Sequence, residues 1–176
     1  ARADASDPSP EARAANARAL ELDEKGQYAE ALGEFQHAYD LSPSYRILYN
    51  IARTSRLTQD FARSLSAYQR FLTEGGADVD PAQRAISERQ IAELSSLVGW
   101  IVVSGRDGTT LSVDGRGAAP LSMEPLPLNP GAHTAHAALG SQSLDRTFTV
   151  RAGETAKVDV TIEAPKRIVP PPEPFR

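Results

Sequence analysis

One stretch of this chain comes back at a fixed offset. Tyr28-Ala29-Glu30-Ala31-Leu32-Gly33-Glu34-Phe35 returns as Phe61-Ala62-Arg63-Ser64-Leu65-Ser66-Ala67-Tyr68, so Tyr28 answers Phe61, Leu32 answers Leu65 and Phe35 answers Tyr68, each 33 residues on. A single offset that matches aromatic to aromatic and Leu to Leu is the signature of a helical repeat, whose units bury their apolar faces only by stacking on one another. That constraint points to architecture and to binding, and no segment suggests a catalytic site.

The punctuation of the first half fits helices. Asp7 or Ser9 is placed to cap a first helix and Pro10 suits its first turn, where a missing N–H costs nothing. Glu11 to Lys25 is built from Ala, Leu, Glu and Arg, and Gly26 closes it in the left-handed position. A second helix is expected over Tyr28–Leu41, with Ala31, Phe35, Ala38 and Tyr39 on one face, stopped by Ser42-Pro43-Ser44. A third runs from Tyr45 to Leu57 with Leu48, Ile51 and Ala52 inward. A fourth runs from Asp60 to Glu74 with Phe61, Leu65, Tyr68, Phe71 and Leu72 inward. After Gly75-Gly76, Asp80 caps and Pro81 opens a fifth helix that carries Ile86, Ile91, Leu94 and Leu97 and ends at Gly99.

Past Gly99 the period drops to that of strands. Trp100–Val103, Thr109–Val113, His133–Ala137, Leu144–Val150 and Thr155–Ile162 read as short strands, with turn signals at Asp114-Gly115, Asn129-Pro130-Gly131 and Ala152-Gly153-Glu154. Such spacing predicts a small antiparallel β-sandwich. Trp100 is expected to pack at the join between the two halves.

Two resemblances follow from these residues. Gly26, Tyr28, Ala31, Phe35, Ala38 and Pro43 stand in the register of the tetratricopeptide repeat, and Phe61, Ser64, Tyr68 and Phe71 repeat it with departures, notably Gln59 where Gly is usual. The fifth helix resembles the solvating helix that closes such arrays. Leu111-Ser112-Val113-Asp114-Gly115, Ala119-Pro120-Leu121, Leu128-Asn129-Pro130-Gly131-Ala132-His133 and Val150-Arg151-Ala152-Gly153-Glu154-Thr155 resemble the ordered blocks of the PEGA domain. Its eponymous tetrapeptide is altered here to Arg106-Asp107-Gly108-Thr109. Together the resemblances imply an α+β chain of two domains: a flexible lead over 1–9, helical repeats over 10–98, a PEGA-like sandwich over 99–163, and a Pro-rich linker over 164–176 that invites a further domain or anchor. They also imply a bacterial, extracytoplasmic setting, periplasm or cell envelope.

Composition narrows the function classes. A net charge of -4 argues against nucleic acid as partner. Arg outnumbers Lys 16 to 3, which reads as a GC-rich bacterial genome rather than an anion-binding surface. No cysteine is present, so neither a disulfide framework nor thiolate chemistry enters. The longest apolar run, Leu97–Val103, is interrupted by Gly99 and is far short of the about 20 residues a membrane span needs. Ala1–Ala14 lacks the apolar core of a signal peptide, and its small-residue opening fits the new terminus left by cleavage.

Candidate chemistry is sparse. His133 and His136, three apart on a strand, point to opposite faces, which argues against a metal pair, and His37 reads as helix surface. Gly105–Thr110 lacks the ending of a phosphate loop and reads as a hairpin turn, and Gly115-Arg116-Gly117 is too short for a dinucleotide fingerprint. No cofactor, metal or catalytic residue is assigned.

By the repeat resemblance, the first helix of each unit lines a concave groove for a segment of a partner protein. The residues facing it would be Asn16, Leu20 and Asp23, then Tyr49, Asn50, Arg53 and Arg56, with Arg84 closing the row. An amide such as Asn50 can hold a peptide backbone, Arg53 and Arg56 can hold a carboxylate, and Tyr49 adds a rigid apolar surface. The expected function is a non-enzymatic scaffold of the cell envelope. The alternatives are a β module that associates with glycan or peptidoglycan, and the sensory or spacer ectodomain of a larger membrane protein.

Overall fold

A computed structural model of the chain describes residues 8–163. The lead up to Asp7 and the Pro-rich tail from Ala164, read above as flexible lead and linker, lie outside the described residues. Five α-helices come first: α1 (Pro10–Glu24), α2 (Tyr28–Leu41), α3 (Tyr45–Leu57), α4 (Phe61–Gly75) and α5 (Pro81–Leu97), with a single 3-10 turn at Gly76–Asp78. Seven strands follow: β1 (Gly99–Ser104), β2 (Thr110–Val113), β3 (Arg116–Pro120), β4 (Leu126–Leu128), β5 (Gly131–Leu139), β6 (Gln142–Val150) and β7 (Thr155–Asp159).

The caps explain the helix ends. Ser9 Oγ accepts from Ala12 N–H at 3.0 Å, and Pro10 takes the first helical position. At the end of α1, Gly26 sits at φ 73° while its N–H reaches Asp23 O at 3.0 Å and Gln27 N–H reaches Leu22 O at 2.9 Å, a Schellman closure. The same closure recurs 33 residues later. Gln59 sits at φ 61°, its N–H reaches Arg56 O at 3.1 Å and Asp60 N–H reaches Ser55 O at 2.9 Å. The sequence offset is thus an offset of backbone geometry: α1 and α3 end alike, and α2 and α4 start alike.

The helical core is continuous. Ala12, Ala15 and Ala19 of α1 let α2 approach closely, and Phe35, Ala31 and Ala38 answer them. Across α3 and α4 the filling is aromatic: Tyr49 lies 5.2 Å from Phe71 and 6.0 Å edge-on from Tyr68, and Tyr45 lies 5.9 Å from Phe71. Gly75 is needed where Val79 and Tyr45 crowd in, since an added Cβ would stand 2.4 Å from Val79. On α5 only Ser87 and Leu94 are buried, while Ile86 and Leu97 remain 43% and 40% exposed.

The strands form two sheets, ordered β4-β1-β7 and β3-β2-β5-β6. Ile101, Val103 and Val158 from the first and Val113, Ala135, Ala137 and Val150 from the second share one core. The expectation of a wholly antiparallel β part needs correction, because β1 and β7 run parallel, from Trp100↔Thr155 to Ser104↔Asp159. The physical reason is the crossover: between β1 and β7 the chain runs through β2 and β3, returns to this sheet as β4, and passes through β5 and β6, and a parallel pair requires such a long connection. Gly105–Thr109 likewise connects strands of different sheets and is not a hairpin turn. Asp114 (φ 53°) and Gly115 (φ 71°) do form the two-residue turn of the β2–β3 hairpin.

The halves meet without a linker. Val98 is fully buried in the helical core, Trp100 packs against that core, and Ile101 already belongs to the β core. Gly99 admits no side chain, since an added Cβ would stand 2.1 Å from Val150 and 2.4 Å from the Arg151 carbonyl. The β6–β7 turn is fastened here too: Gly153 N–H donates to Val98 O and Trp100 N–H to Glu154 O, each at 2.8 Å.

Candidate functional site

The expected groove residues can be followed one by one. Asp23, with only 9% of its side chain exposed, pairs with Arg53 and accepts from Thr54 Oγ1 at 3.4 Å. Arg56 pairs with Glu93 of α5 at 3.0 Å. These two ion pairs tie α1 to α3 and α3 to α5. Tyr49 stands between the rings of Tyr68 and Phe71. Burial and the neighbouring Tyr49 push the Tyr68 phenol above its ordinary range, while Arg56 and Arg53 pull it down, so both guanidinium groups act on this ring's hydroxyl. Asn50 is half-buried and Leu20 is exposed on the same helices. Arg84 lies apart from the row, donating to the Gly76 carbonyl at the turn between α4 and α5.

The structure therefore changes the chemistry expected of the arginines. Arg53 and Arg56, expected to hold a partner's carboxylate, each already hold a carboxylate of their own chain. Glu93 carries no signal in the sequence because its meeting with Arg56 depends on how α5 crosses α3. Two amide oxygens, Asn16 Oδ1 and Gln90 Oε1, are buried with no hydrogen-bond partner among the described residues.

A second polar arrangement lies where α4 meets the β part. The first N–H groups of a helix have no intrahelical acceptor. Here Asn129, from the turn before β5, supplies one: its Oδ1 accepts from Ala62 N–H at 2.9 Å while its Nδ2 donates to Asp60 Oδ1 at 2.9 Å. Asp60, the N-cap of α4, thus shares the capping role with a residue from the other half of the molecule. The Asn129 carbonyl in turn faces His133 Nε2 at 2.7 Å, and His133 Nδ1 faces Asp114 Oδ2 at 2.7 Å. Both ring nitrogens thus meet oxygen atoms, one from the backbone and one from a carboxyl group. Phe148 packs on the ring at 5.8 Å.

Asp114 also accepts from Thr134 N–H at 2.9 Å. Partial burial pushes its carboxyl up, but the hydrogen bonds from His133 and Thr134, with the charges of His133 and Arg116, outweigh burial and hold it below the usual carboxylate range. The histidine separation read from the sequence holds: His136 is on the opposite, exposed side of β5, 2.6 Å from Asp145. No local pattern in the sequence signals the Asp60–Asn129–His133–Asp114 chain, because Asp60 stands 69 residues from Asn129.

Beside this chain a cleft of about 470 Å³ opens between α4 and the strands β2, β3 and β4. Its walls are mainly apolar, with Val103, Leu111, Val113, Leu126 and Leu128 among them, and Arg63 and Arg116 stand at one end. The chain matches no protein-family model and no curated protein. Among the described residues no group of three His, Cys, Asp or Glu side chains could hold a metal ion, and no helix is long and apolar enough to cross a membrane.

Proposed function

We propose that this chain is a non-enzymatic binding and scaffold protein of a bacterial cell envelope. In this reading tetratricopeptide-like repeats hold a segment of a partner protein, and a PEGA-like sandwich docks or spaces them. The observation that carries the reading is the row across α1, α3 and α5. The Asp23–Arg53 and Arg56–Glu93 pairs brace these helices, so a partner meets a face already held in shape and little ordering is needed on binding. The braced face carries the half-buried Asn50, whose amide, both donor and acceptor, suits an extended backbone. The envelope setting rests on the family resemblances.

Affinity capture from an envelope extract tests this, with Asn16→Ala/Asn50→Ala as the control chain. The reading expects a protein retained by the native chain and lost from the variant. A partner retained equally by both would remove the assignment to this face.

A further inference from the structure

We propose that the cleft between α4 and the β2–β3–β4 edge binds a single-chain anionic lipid, the hydrocarbon in the cleft and the head group against Arg63 and Arg116. This goes beyond the protein-binding face, which lies on other helices.

Size and lining come first. About 470 Å³ falls within the roughly 300–1,000 Å³ of small-molecule sites. The walls from Val103, Leu111, Leu126 and Leu128 are hydrocarbon, with Leu126, at the start of β4, 40% exposed and Met123, in the loop before it, 76% exposed. Such surface at a cleft marks an interaction site.

The edges then discriminate between occupants. β3 and β4 are the outer strands of their sheets, which would ordinarily invite an added peptide strand. Here β3 ends in Pro120 and loses register against β2 between Leu111 and Val113, and β4 has Pro127 at its centre. Neither edge offers an uninterrupted run of N–H donors. A peptide in the cleft would bring backbone polar groups that need partners, whereas an alkyl chain brings none.

Charge sets the polarity. Arg63 Nε and Arg116 share one carboxylate oxygen, Asp60 Oδ2, at 3.3 and 3.4 Å, longer than the about 2.7–2.9 Å of strong charge-assisted bonds. Asp60 Oδ1 is occupied by Asn129 Nδ2. Asp114 has one oxygen on His133 and the other on Thr134 N–H. Two guanidinium groups, 34% and 60% exposed, therefore share one directly paired carboxylate oxygen, with the Asp114 carboxyl, already engaged by His133 and Thr134, near Arg116. The pairing Gly99↔Leu128 to Ile101↔Leu126 runs β4 away from the helices toward its start, which places Glu124 at the opposite end. An anionic head is attracted at the arginine end and repelled at the other.

Titration calorimetry on the full chain with decanoate and dodecanoate, below their micelle concentrations, tests the proposal. Each buried methylene contributes about fourfold, so dodecanoate should bind about 15-fold more tightly than decanoate. Arg63→Gln/Arg116→Gln should weaken dodecanoate about tenfold and leave dodecanol unchanged. Gly117 lines the cleft and a Cβ added there meets nothing within 4 Å, so Gly117→Leu should occupy the space, abolish binding and leave the melting temperature unaltered. No binding of either acid, affinity independent of chain length, or undiminished binding by a folded Gly117→Leu chain would each overturn the proposal.

Discussion

The two helical hairpins, α1–α2 and α3–α4, share a backbone plan and differ in what fills it. Gly26 and Gln59 occupy the same left-handed closing position, yet only the first is a residue suited to it. The first hairpin closes around alanines on α1, the second around Tyr45, Tyr49, Tyr68 and Phe71. The start of the second helix differs most. Gln27 makes no side-chain cap to α2 among the described residues, whereas Asp60 caps α4 and receives Asn129 from the β part. The repeat sets the geometry twice, and the second copy has been adapted as a dock.

Breaking the filling should have the largest effect. Phe71 is 1% exposed between two tyrosines, and Phe71→Ala should cost about 3–5 kcal/mol, read by denaturant titration. The dock comes next. Asn129→Ala leaves Ala62 N–H and one bond of Asp60 unmet and should cost about 1–3 kcal/mol, while Gln27→Ala, at the equivalent place in the first hairpin, should stay within about 0.5 kcal/mol.

The closing position gives a smaller, signed pair. Gln59→Gly should raise stability by about 0.5–1 kcal/mol by relieving the positive φ, and Gly26→Gln should lower it by about 1 kcal/mol. The smallest effect is pH-dependent. Because the Asp114 carboxyl is lowered in the folded chain, its contribution is fully present above its ordinary value of about 3.9 and is lost as pH falls through the lower folded value. Asp114→Asn should flatten stability against pH in that acid range only.

What the sequence discloses here is whatever repeats locally. The 33-residue offset, Pro10 and Pro81 at helix starts, and Asp114-Gly115 at a turn each follow from neighbours a few residues apart, and the structure places helices and the turn accordingly. The β part was legible as strands but not as pairing. The parallel β1–β7 partnership joins residues 55 positions apart, from Trp100↔Thr155 to Ser104↔Asp159, and β3, as Arg-Gly-Ala-Ala-Pro, has no alternation to announce it. The residues expected to face a groove could be named from the sequence, yet the fate of their charges could not, since Glu93 meets Arg56 only through the crossing of α5. Asn129 is the clearest case. Beside Pro130-Gly131 it reads as a turn residue, and nothing nearby signals that its side chain caps a helix that begins 68 residues earlier, at Phe61.

The Ala62 amide tests the adapted dock most directly. It lies in the first turn of α4, where no intrahelical acceptor exists, so its protection from hydrogen exchange reports the Asn129 contact alone. Ala29 is its counterpart 33 residues earlier. The account expects Ala62 to exchange slowly, Ala29 to exchange fast, and the difference to vanish in Asn129→Ala. Equal, fast exchange at both positions in the native chain would contradict it.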